Sequence, residues 1–566
     1  AGGEEETLHK FAAELVTQQQ EDGGWAQLPN SKSDAYATGS VLTVLRLTNI
    51  LSADSPAYQK GIQYLLRNQQ ADGSWHVVSR STPFQPYFES GFPHGKDQFI
   101  SIAGSGWATS ALILADVQAK PPVEIGSRVE MFVDDWLMDT KRNVSLRLNT
   151  PVRREVVLVT DKAWEGVDSA YYTVIQDGAK VRLFYRGLCP SDGDNRQLTC
   201  YAESTDGIHF SRPSLNLFEF AGSKQNNVIW KGIEAHNFAP FLDSNPHCKP
   251  TERFKALGGI NSKLYAFASP DGIHWKKLQE TPVLTDGAFD SLNTAFWDEM
   301  AGVYRCYSRY WSEAGSVRAI QHCTSKDFVH WSKPEPNRYA EGTPYEHFYT
   351  NATRPCPGAP HFLLSFPKRF VPERTKLPGY KEPGVSDAVF MSSRDGVNWS
   401  RTFLDAWVRP GRDPKNWTQR SNMPASGIVQ LTDDEFSIYI SEHYQWADNR
   451  LCRLTVRKHG FASVHAENSG GEFTTRPLTF TGKNLLLNYA TSAAGSVQVE
   501  IQDSTGQSIS GYALTDMPPL YGDELAAPVT WKAGSDLSAL VGKTVRFRFV
   551  MKDADLYSLQ VGTTGR

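Results

Sequence analysis

Four carboxylates stand where short β segments of this chain begin or end, and they are the main candidates for acid–base chemistry. They are Asp168, Asp290, Glu346 and Glu442. Cleavage of a glycosidic bond needs two carboxyl groups, one protonated to assist the leaving oxygen and one ionised to attack or to activate water. A pair from this set could supply both groups, although a single carboxylate at such a position often only caps a turn or pairs with an arginine.

Ten further polar residues occupy neighbouring positions and could hold a substrate. They are Arg186, Glu234, His236, Asn237, Asn293, Arg309, His347, Arg369, Asn422 and His443. The three histidines could be hydrogen-bonded core residues, could bind a metal together, or could hold an anionic substrate with the arginines. Substrate binding is favoured over metal binding, because the histidines come from separate segments and lack the sequence spacing typical of metal ligands. We predict no metal centre and no cofactor, and a structural Ca²⁺ stays open.

A phrase that recurs four times divides the middle of the chain into β repeats. It runs STDGIHF at 204–210, SPDGIHW at 269–275, SKDFVHW at 325–331 and SRDGVNW at 393–399, at intervals of 65, 56 and 68 residues. Short strands between the copies predict a β-propeller, and a strand set without the phrase at 427–456 makes five blades. We expect each copy to form a tight turn whose final aromatic residue packs between blades.

The blades of such a propeller would bring the candidate residues together. The inner strand of each blade starts on one face of the central channel, and the next strand returns to that face. The predicted inner strands are 170–176, 236–242, 293–297, 348–354 and 422–429. Polar residues at the starts of these strands, and at the ends of the second strands, should therefore converge in one funnel.

The phrase, the five blades and the strands that follow them resemble the five-bladed propeller glycoside hydrolases. This fold is shared by fructosidase-like, arabinanase-like and mannoside-phosphorylase-like families, and the chain looks closer to a group of bacterial glycosyl hydrolases of the fructosidase N-terminal type. By blade position, the resemblance implies Asp168 as base or nucleophile and Asp290 as the group that tunes a pKa or orients the sugar. The acid would be Glu346 or Glu442.

The chain also departs from the fructosidase pattern. The WMNDPNG sequence and the Glu-Cys acid motif are absent, and an RDP triplet at 412–414 falls between the fourth and fifth blades, so we interpret it as coincidence. Asp134 and Asp135, at the opening of the propeller, could supply the base instead of Asp168. A strand that closes the last blade is the plainer interpretation of that segment.

The first 120 residues have a different pattern, with apolar residues at the spacing of four helices. The motif QxxDGxW occurs at 19–25 and 69–75. It resembles the repeats of the α/α-toroid proteins related to squalene and terpene cyclases. Such toroids have more repeats, and the DxDD proton donor of the cyclases is absent, so we predict a partial helical module that is not a cyclase. Pro121 and Pro122 mark its end.

The whole chain is predicted to be mainly β, with an α/α-toroid-like module at 1–120, a five-bladed β-propeller at 123–465 and a β-sandwich at 466–566. Its 566 residues fit about three domains. A net charge of −4, from 58 basic and 62 acidic residues, argues against nucleic acid as a partner. We expect no apolar stretch that approaches the roughly 18 residues of a membrane span. Seven cysteines without a CxxC pair indicate no zinc ribbon.

The predicted function is that of a glycoside hydrolase, whose partner is an oligo- or polysaccharide. A glycoside phosphorylase of the mannoside type is an alternative if the histidines and arginines bind phosphate. The same residues also fit a non-catalytic glycan-binding or scaffold protein and, more distantly, a lyase acting on uronates. The sequence begins at Ala1 and its first methionine is Met131, which fits either a processed mature chain or a trimmed sequence. For a processed chain, a periplasmic or secreted location is expected. The sugar, the linkage and the oligomeric state stay open.

Overall fold

The protein is mainly β with a small helical module at its N-terminus, and strands and helices make up 40% and 14% of it. The computed structural model describes residues 2–48, 50, 55–81, 87–115, 122–191, 194–312, 316–380, 382–504 and 506–562, with side chains from residue 10 onward. Pro121, at the predicted end of the helical module, lies outside these ranges.

Four helices form the N-terminal module. They are α1 (Gly2–Thr17), α2 (Ala35–Leu47), α3 (Pro56–Asn68) and α4 (Gln98–Ala115). The two QxxDGxW motifs follow α1 and α3, and their tryptophans, Trp25 and Trp75, lie in the core of the module. Each indole N–H donates to a carbonyl of the preceding helix, Leu15 at 2.6 Å and Leu65 at 2.8 Å. The motifs therefore fasten the chain back onto the helix that they end.

Helix α4 corrects the expectation that no apolar stretch approaches the length of a membrane span. Among the described helices, the stretch Gly95–Ala115 meets the length and composition of a span, with a mean hydropathy of 1.3, and 28% of it is buried inside the protein. Small residues let α4 pack closely on α2, since a Cβ added to Gly39 would lie 2.5 Å from the backbone of Trp107. Gly, Ser and Ala interrupt the apolar residues of α4, which is why the sequence pattern does not reveal its length.

Five strands precede the repeats. They are β1 (Val123–Gly126), β2 (Val129–Met131), β3 (Met138–Arg142), β4 (Val144–Leu148) and β5 (Val152–Val159). The first four pair with strands near the C-terminus, whereas β5 pairs with the last sheet of the repeats. The predicted division places 123–148 with the propeller, but its hydrogen bonds join it to the C-terminal sheet. The domain division itself stays a prediction.

Three four-stranded antiparallel sheets come next, each formed by consecutive strands. Sheet 1 contains β6 (Ala170–Asp177), β7 (Lys180–Arg186), β8 (Leu198–Ser204) and β9 (Val228–Lys231). Sheet 2 contains β10 (Ala239–Leu242), β11 (Phe254–Ile260), β12 (Lys263–Ser269) and β13 (Lys276–Lys277). Sheet 3 contains β14 (Thr294–Asp298), β15 (Val303–Trp311), β16 (Arg318–Ser325) and β17 (Glu335–Pro336).

The fourth repeat is split into two three-stranded sheets. Its strands are β18 (His347–Thr350), β19 (Arg354–Cys356), β20 (Ala359–Ser365), β21 (Lys368–Val371), β22 (Val385–Ala388) and β23 (Met391–Ser393). Sheet 4a is β18-β21-β22, and sheet 4b is β19-β20-β23. Sheet 5 joins β24 (Val429–Gln430), β25 (Glu435–Glu442) and β26 (Arg450–Arg457) to β5. A strand from before the first repeat therefore completes the last one.

The remaining strands form a ten-stranded sheet with β1 to β4. They are β27 (Ala462–Ala466), β28 (Gly471–Thr475), β29 (Leu478–Phe480), β30 (Asn484–Asp503), β31 (Asp523–Pro528) and β32 (Val545–Gly562). The two long strands, β30 and β32, pair along their length with a break between Thr491 and Ser496. Their apolar side chains share one core with Phe132 and Phe473. The β-sandwich stays a prediction for this region.

The recurring phrase forms the same turn in all four copies. In the first copy, Ser204 Oγ accepts from the N–H of Gly207, and Asp206 Oδ1 accepts from the N–H groups of Ile208 and His209. Asp271, Asp327 and Asp395 make the equivalent bonds. The motif is therefore structural, because the serine and aspartate satisfy the backbone donors that the tight turn exposes.

These turns also join neighbouring sheets. The hydroxyl of Tyr307 in sheet 3 donates to the carbonyl of Gly396, 2.8 Å away, in the last turn. The hydroxyl of Tyr439 in sheet 5 donates in the same way to Gly207, 2.7 Å away, in the first turn. Arg354 of β19 adds a buried link, with donations to Ser426 Oγ and to the carbonyls of Ala295 and Pro240. The first and last sheets are thus in contact.

Replacing Tyr439 by Phe should weaken the contact between sheets 5 and 1. Because the variant leaves the Gly207 carbonyl without its buried donor, we expect a loss of about 1–2 kcal/mol in the free energy of unfolding, measured by urea denaturation. Tyr307→Phe removes the equivalent bond between sheets 3 and 4b and should have a similar effect. Tyr345→Phe, at a tyrosine that is 77% exposed, is the control. The contact between sheets 5 and 1 would be contradicted if Tyr439→Phe left the urea midpoint unchanged while Tyr307→Phe lowered it.

Candidate active site

Asp290 is the centre of a polar cluster to which four sheets contribute. Its Oδ1 accepts from the hydroxyl of Tyr171 at 2.9 Å and lies 2.8 Å from Nε2 of His236, while its Oδ2 accepts from Tyr349 at 3.1 Å. Arg309 Nη2 lies 3.8 Å from Oδ2. The residues come from β6, the segment before β10, β18 and β15. Asp290, His236 and Arg309 of the predicted set therefore lie together, with Tyr171 and Tyr349 beside them.

The surroundings of Asp290 keep it ionised. Burial alone would raise the pKa of this carboxyl, but the hydrogen bond and charge of His236, together with the charge of Arg309, hold it well below its usual range. The side chain is still 29% exposed. The carboxylate can therefore reach a ligand while its charge and orientation are held by the protein.

Two asparagines from the predicted set hold the backbone beside Asp290. The side-chain amides of Asn237 and Asn293 both donate to the carbonyl of Phe289, the residue before Asp290. Asn237 also accepts from the N–H of Gly259 at 3.0 Å. Both asparagines are completely buried. They are positioning residues in this arrangement, because their bonds fix the loop that carries the carboxylate.

Arg186 connects Asp290 with Asp168. Its Nη1 lies 3.4 Å from Nε2 of His236, and its Nη2 donates to the backbone carbonyl of Asp168 at 2.8 Å. The guanidinium also lies over the ring of Tyr171, 4.8 Å from its centre. The Asp168 carboxylate accepts from Gln445 at 3.1 Å. Arg186 therefore links the backbone at Asp168 with His236 and Tyr171, two of the residues that hold Asp290.

Four more cations surround the ring of Tyr349, and we name Arg309, Arg318, Lys368 and Arg420 the cationic cluster. Lys368 Nζ lies 4.0 Å from the ring centre, and the three guanidinium carbons lie 4.8, 5.3 and 6.0 Å from it. Burial and the neighbouring arginines lower the pKa of Lys368 well below its usual value. Of the four, the sequence pattern predicts Arg309 as a binding residue, and Arg420 stands at the entry of the predicted fifth blade, whereas Arg318 and Lys368 are the first residues of β16 and β21 and carry no motif.

Tyrosines are the other group that the sequence does not reveal. Tyr171, Tyr349 and Tyr444 contact the cations, and Tyr444 accepts from both Arg186 and Arg420. Tyr171 has a backbone φ of 53°, in the left-handed region that residues with a side chain rarely adopt, and β6 has a register shift there. This local strain turns Tyr171 toward Asp290, and nothing in the sequence pattern signals it.

The two predicted glutamates have other partners. Glu346 forms ion pairs with Arg369 at 2.7 Å and with Arg401. Glu442 is buried, forms ion pairs with Arg450 at 2.9 Å and with Arg153, and accepts from the thiol of Cys452. None of the described hydrogen bonds or ion pairs joins either glutamate to the Asp290 cluster. Their catalytic role stays a prediction, and the contacts favour a structural one.

The remaining predicted binding residues lie in separate networks. Glu234 pairs with Lys277 at 2.7 Å, Arg369 binds Asp387, and the amide of Asn422 donates to the carbonyls of Ser386 and Asn416. His347 Nδ1 lies 3.3 Å from the backbone nitrogen of Arg318 and so borders the cationic cluster.

His443 binds the aspartate of the RDP triplet. Its ring nitrogens lie 2.8 Å from Asp413 and 2.9 Å from Asp448. Asp134 pairs with Arg394 at 3.3 Å, and Asp135 lies 4.0 Å from Lys141. Among the described residues, no group of three or more histidine, cysteine, aspartate or glutamate side chains could hold a metal ion.

Comparisons with known proteins give a partial family match and distant structural similarity. Residues 2–101 match the family described as squalene-hopene cyclase C-terminal domain. No curated protein matches the chain. A glycosyl hydrolase from Bacteroides ovatus is 14% identical, with a TM-score of 0.35 over 58% of this chain and 96% of that chain.

Two further solved structures have similar coverage. One comes from work on the GH130 family of mannoside phosphorylases, which contains glycoside hydrolases that target β-1,2-mannosidic linkages in Candida mannan. It is 13% identical, with a TM-score of 0.35 and coverage of 58% of this chain and 96% of that chain. The other is an N-acetylgalactosamine deacetylase from F. plautii, with 12% identity, a TM-score of 0.37 and coverage of 55% and 95%. The chain is thus distantly similar in structure to glycoside hydrolases and mannoside phosphorylases.

Replacing Asp290 by Asn should destabilise the fold, because it removes the carboxylate from a group of buried cations. We expect the free energy of unfolding to fall by about 2 kcal/mol or more. Added sulfate should restore part of it, since an anion can take the place of the lost charge. Thermal unfolding with and without sulfate measures both effects. Equal stability of variant and wild type would contradict the role given to Asp290.

Glu442→Gln should also destabilise the protein, but for a different reason. The variant leaves Arg153 and Arg450 without their buried counter-charge, and we expect a loss of about 1–3 kcal/mol that sulfate at the Asp290 cluster does not restore. The same thermal unfolding series measures it. Restoration by sulfate equal to that of Asp290→Asn would show that Glu442 belongs to the Asp290 cluster.

Proposed function

We propose that this protein is a carbohydrate-active enzyme that cleaves a glycosidic bond, and that its repeats form a closed five-bladed β-propeller around the site. The contact of Tyr439 with Gly207 supports closure, because it repeats between sheets 5 and 1 the bond that Tyr307 makes between sheets 3 and 4b. Strand β5 supports it too, since a strand from before the first repeat completes the last sheet.

The observation that best supports this function is that Asp290 is ionised and partly exposed to a ligand. An ionised carboxylate that is partly exposed, and held by side chains from several sheets, suits a group that attacks a sugar carbon, activates water or stabilises positive charge in the transition state. Donors from Tyr171, Tyr349 and His236 fix its direction before a substrate binds. A carboxylate with a purely structural role would not need to be held in a fixed direction before a substrate binds.

Asp168 is the second carboxylate of the proposal, with the role of acid. Arg186 supports this role, because it donates to the backbone carbonyl of Asp168 and also contacts His236 of the Asp290 cluster, which brings the two segments of chain together. The separation of the two carboxyl groups with a sugar bound decides the stereochemical outcome. About 5 Å corresponds to retention through a covalent intermediate, and roughly 6.5–9.5 Å corresponds to inversion.

Phosphorolysis is the second candidate function, and the cationic cluster favours it. Guanidinium and ammonium groups bind phosphate oxygens through charge-assisted hydrogen bonds. In that reaction phosphate, rather than water, attacks the sugar. Phosphate dependence of turnover separates the two candidates.

The function is tested by measuring release of reducing ends from a broad panel of neutral and acidic glycans, with and without phosphate. Asp290→Asn and Asp168→Asn should each lower the rate by about 10²-fold or more, the size expected for acid–base groups. Glu335→Gln changes a carboxylate that is 63% exposed and should leave the rate unchanged. Glu346→Gln and Glu442→Gln test the glutamates of the sequence-based prediction.

Two outcomes would contradict the assignment. If Glu346→Gln or Glu442→Gln lowers the rate by about 10²-fold while folded Asp290→Asn keeps wild-type activity, the reacting carboxylates are the glutamates. If wild-type protein binds glycans of the panel but releases no product, and Asp290→Asn binds them equally well, the protein is a glycan-binding protein rather than an enzyme.

A further inference from the structure

Three nitrogens of the cationic cluster are buried and have no hydrogen-bond partner in the described part of the chain. They are Arg309 Nη1, Arg318 Nε and Arg420 Nε. Arg309 is only 6% exposed, so its free N–H group has little access to bulk water. A buried donor without an acceptor costs free energy, and a charged donor costs more than a neutral one. An acceptor on a ligand would remove this cost.

The cluster also carries more positive charge than its surroundings neutralise. Among the ion pairs of the described residues, Asp290 supplies the one carboxylate within 4 Å of it, through Arg309 at 3.8 Å. Lys368 donates to a neutral carbonyl, that of Gln419, at 2.8 Å. The pKa of Arg318 is lowered by burial and by the charge of Arg309. The neighbouring arginines therefore disfavour the charged forms of Arg318 and Lys368, and a bound anion would relieve that repulsion.

An exposed tryptophan beside the cluster indicates that the bound anion is a charged substituent on a sugar. Trp311 is 47% exposed, and the guanidinium carbons of Arg318 and Arg309 lie 4.6 and 5.9 Å from its ring. A sugar can place its apolar face on a tryptophan and still extend a polar group past its edge. A small free anion makes no use of such a surface, whereas a sugar with a charged substituent contacts both the indole and the cations.

We propose that Arg309, Arg318 and Arg420 of the cationic cluster form a subsite for the oxyanion of an acidic sugar, a uronate carboxylate or a sulfate ester, whose ring lies against Trp311. Lys368 is completely buried and does not contact the sugar. The role of this sugar as substrate rests on the proposed function, but its binding does not. Bidentate hydrogen bonds from the arginines fit either oxyanion.

Binding is tested by calorimetric titration of uronate-containing and sulfated oligosaccharides into the intact protein. The matched neutral ligands are the same oligosaccharides after reduction of the carboxyl group or removal of the sulfate. Inorganic phosphate and inorganic sulfate form a separate arm, because the same cations could serve a free anion. We expect at least one acidic oligosaccharide to bind about 10- to 100-fold more tightly than its neutral counterpart.

Variants connect this preference with the cluster. Arg318→Met should abolish most of the preference and leave the affinity for the neutral counterpart unchanged. Arg309→Met should also abolish most of the preference, and Arg318→Lys should keep part of it. Arg338→Met, at an arginine that is 67% exposed, is the matched control. Circular dichroism and thermal unfolding establish that each variant is folded, and Arg318→Lys keeps the test decisive if Arg309→Met does not fold.

The outcomes separate this subsite from the proposed function. Acidic sugars that bind through Arg318 without being cleaved support the subsite and contradict the enzyme. Cleavage of neutral glycans with no preference for acidic ones supports the enzyme and overturns the subsite. Binding of inorganic phosphate with no binding of any acidic oligosaccharide also overturns it and favours phosphorolysis. An acidic preference that Arg318→Met leaves intact overturns the subsite as well.

Discussion

The site depends on the balance between one carboxylate and the cations buried around it. Asp290 accepts hydrogen bonds on both oxygens, and Arg186, Arg309, Arg318, Lys368 and Arg420 are grouped around its tyrosine partners. Opposite charges in a partly buried site attract more strongly than in water, and like charges also repel more strongly. The ionised carboxylate therefore stabilises the buried cations around it and is at the same time partly exposed to a ligand.

The repeats make this balance possible because each contributes only one or two charges to it. Tyr171, His236, Arg309 and Tyr349 come from different sheets, so no single strand has to bury several charged residues. The turns of the recurring phrase satisfy their own backbone donors and join neighbouring sheets at the opposite ends of the strands. The polar cluster can therefore vary in composition without changing the turns that hold the sheets together.

Part of this arrangement could be predicted from the sequence. The spacing of the recurring phrase pointed to the inner strands, although the fifth, predicted at 422–429, is observed as β24 (Val429–Gln430). The starts of the inner strands pointed to Asp290 and His236, and the end of a second strand pointed to Arg309. Glu442 ends the second strand of its repeat as expected, but its carboxylate pairs with Arg450 of β26 and Arg153 of β5, contacts that the sequence pattern did not signal.

The residues that the sequence did not reveal are brought to the site by pairing between strands that lie far apart in the sequence. Lys368 reaches Tyr349 only because the fourth repeat splits into two sheets and β21 pairs with β18. Likewise β1 to β4 pair with strands more than 300 residues away, which no local pattern encodes. The most direct test is a crystal structure with an acidic oligosaccharide bound. We expect an oxyanion bonded to Arg309 and Arg318 and a glycosidic oxygen beside Asp290. A sugar bound outside this cluster would contradict both the proposed subsite and the role of Asp290.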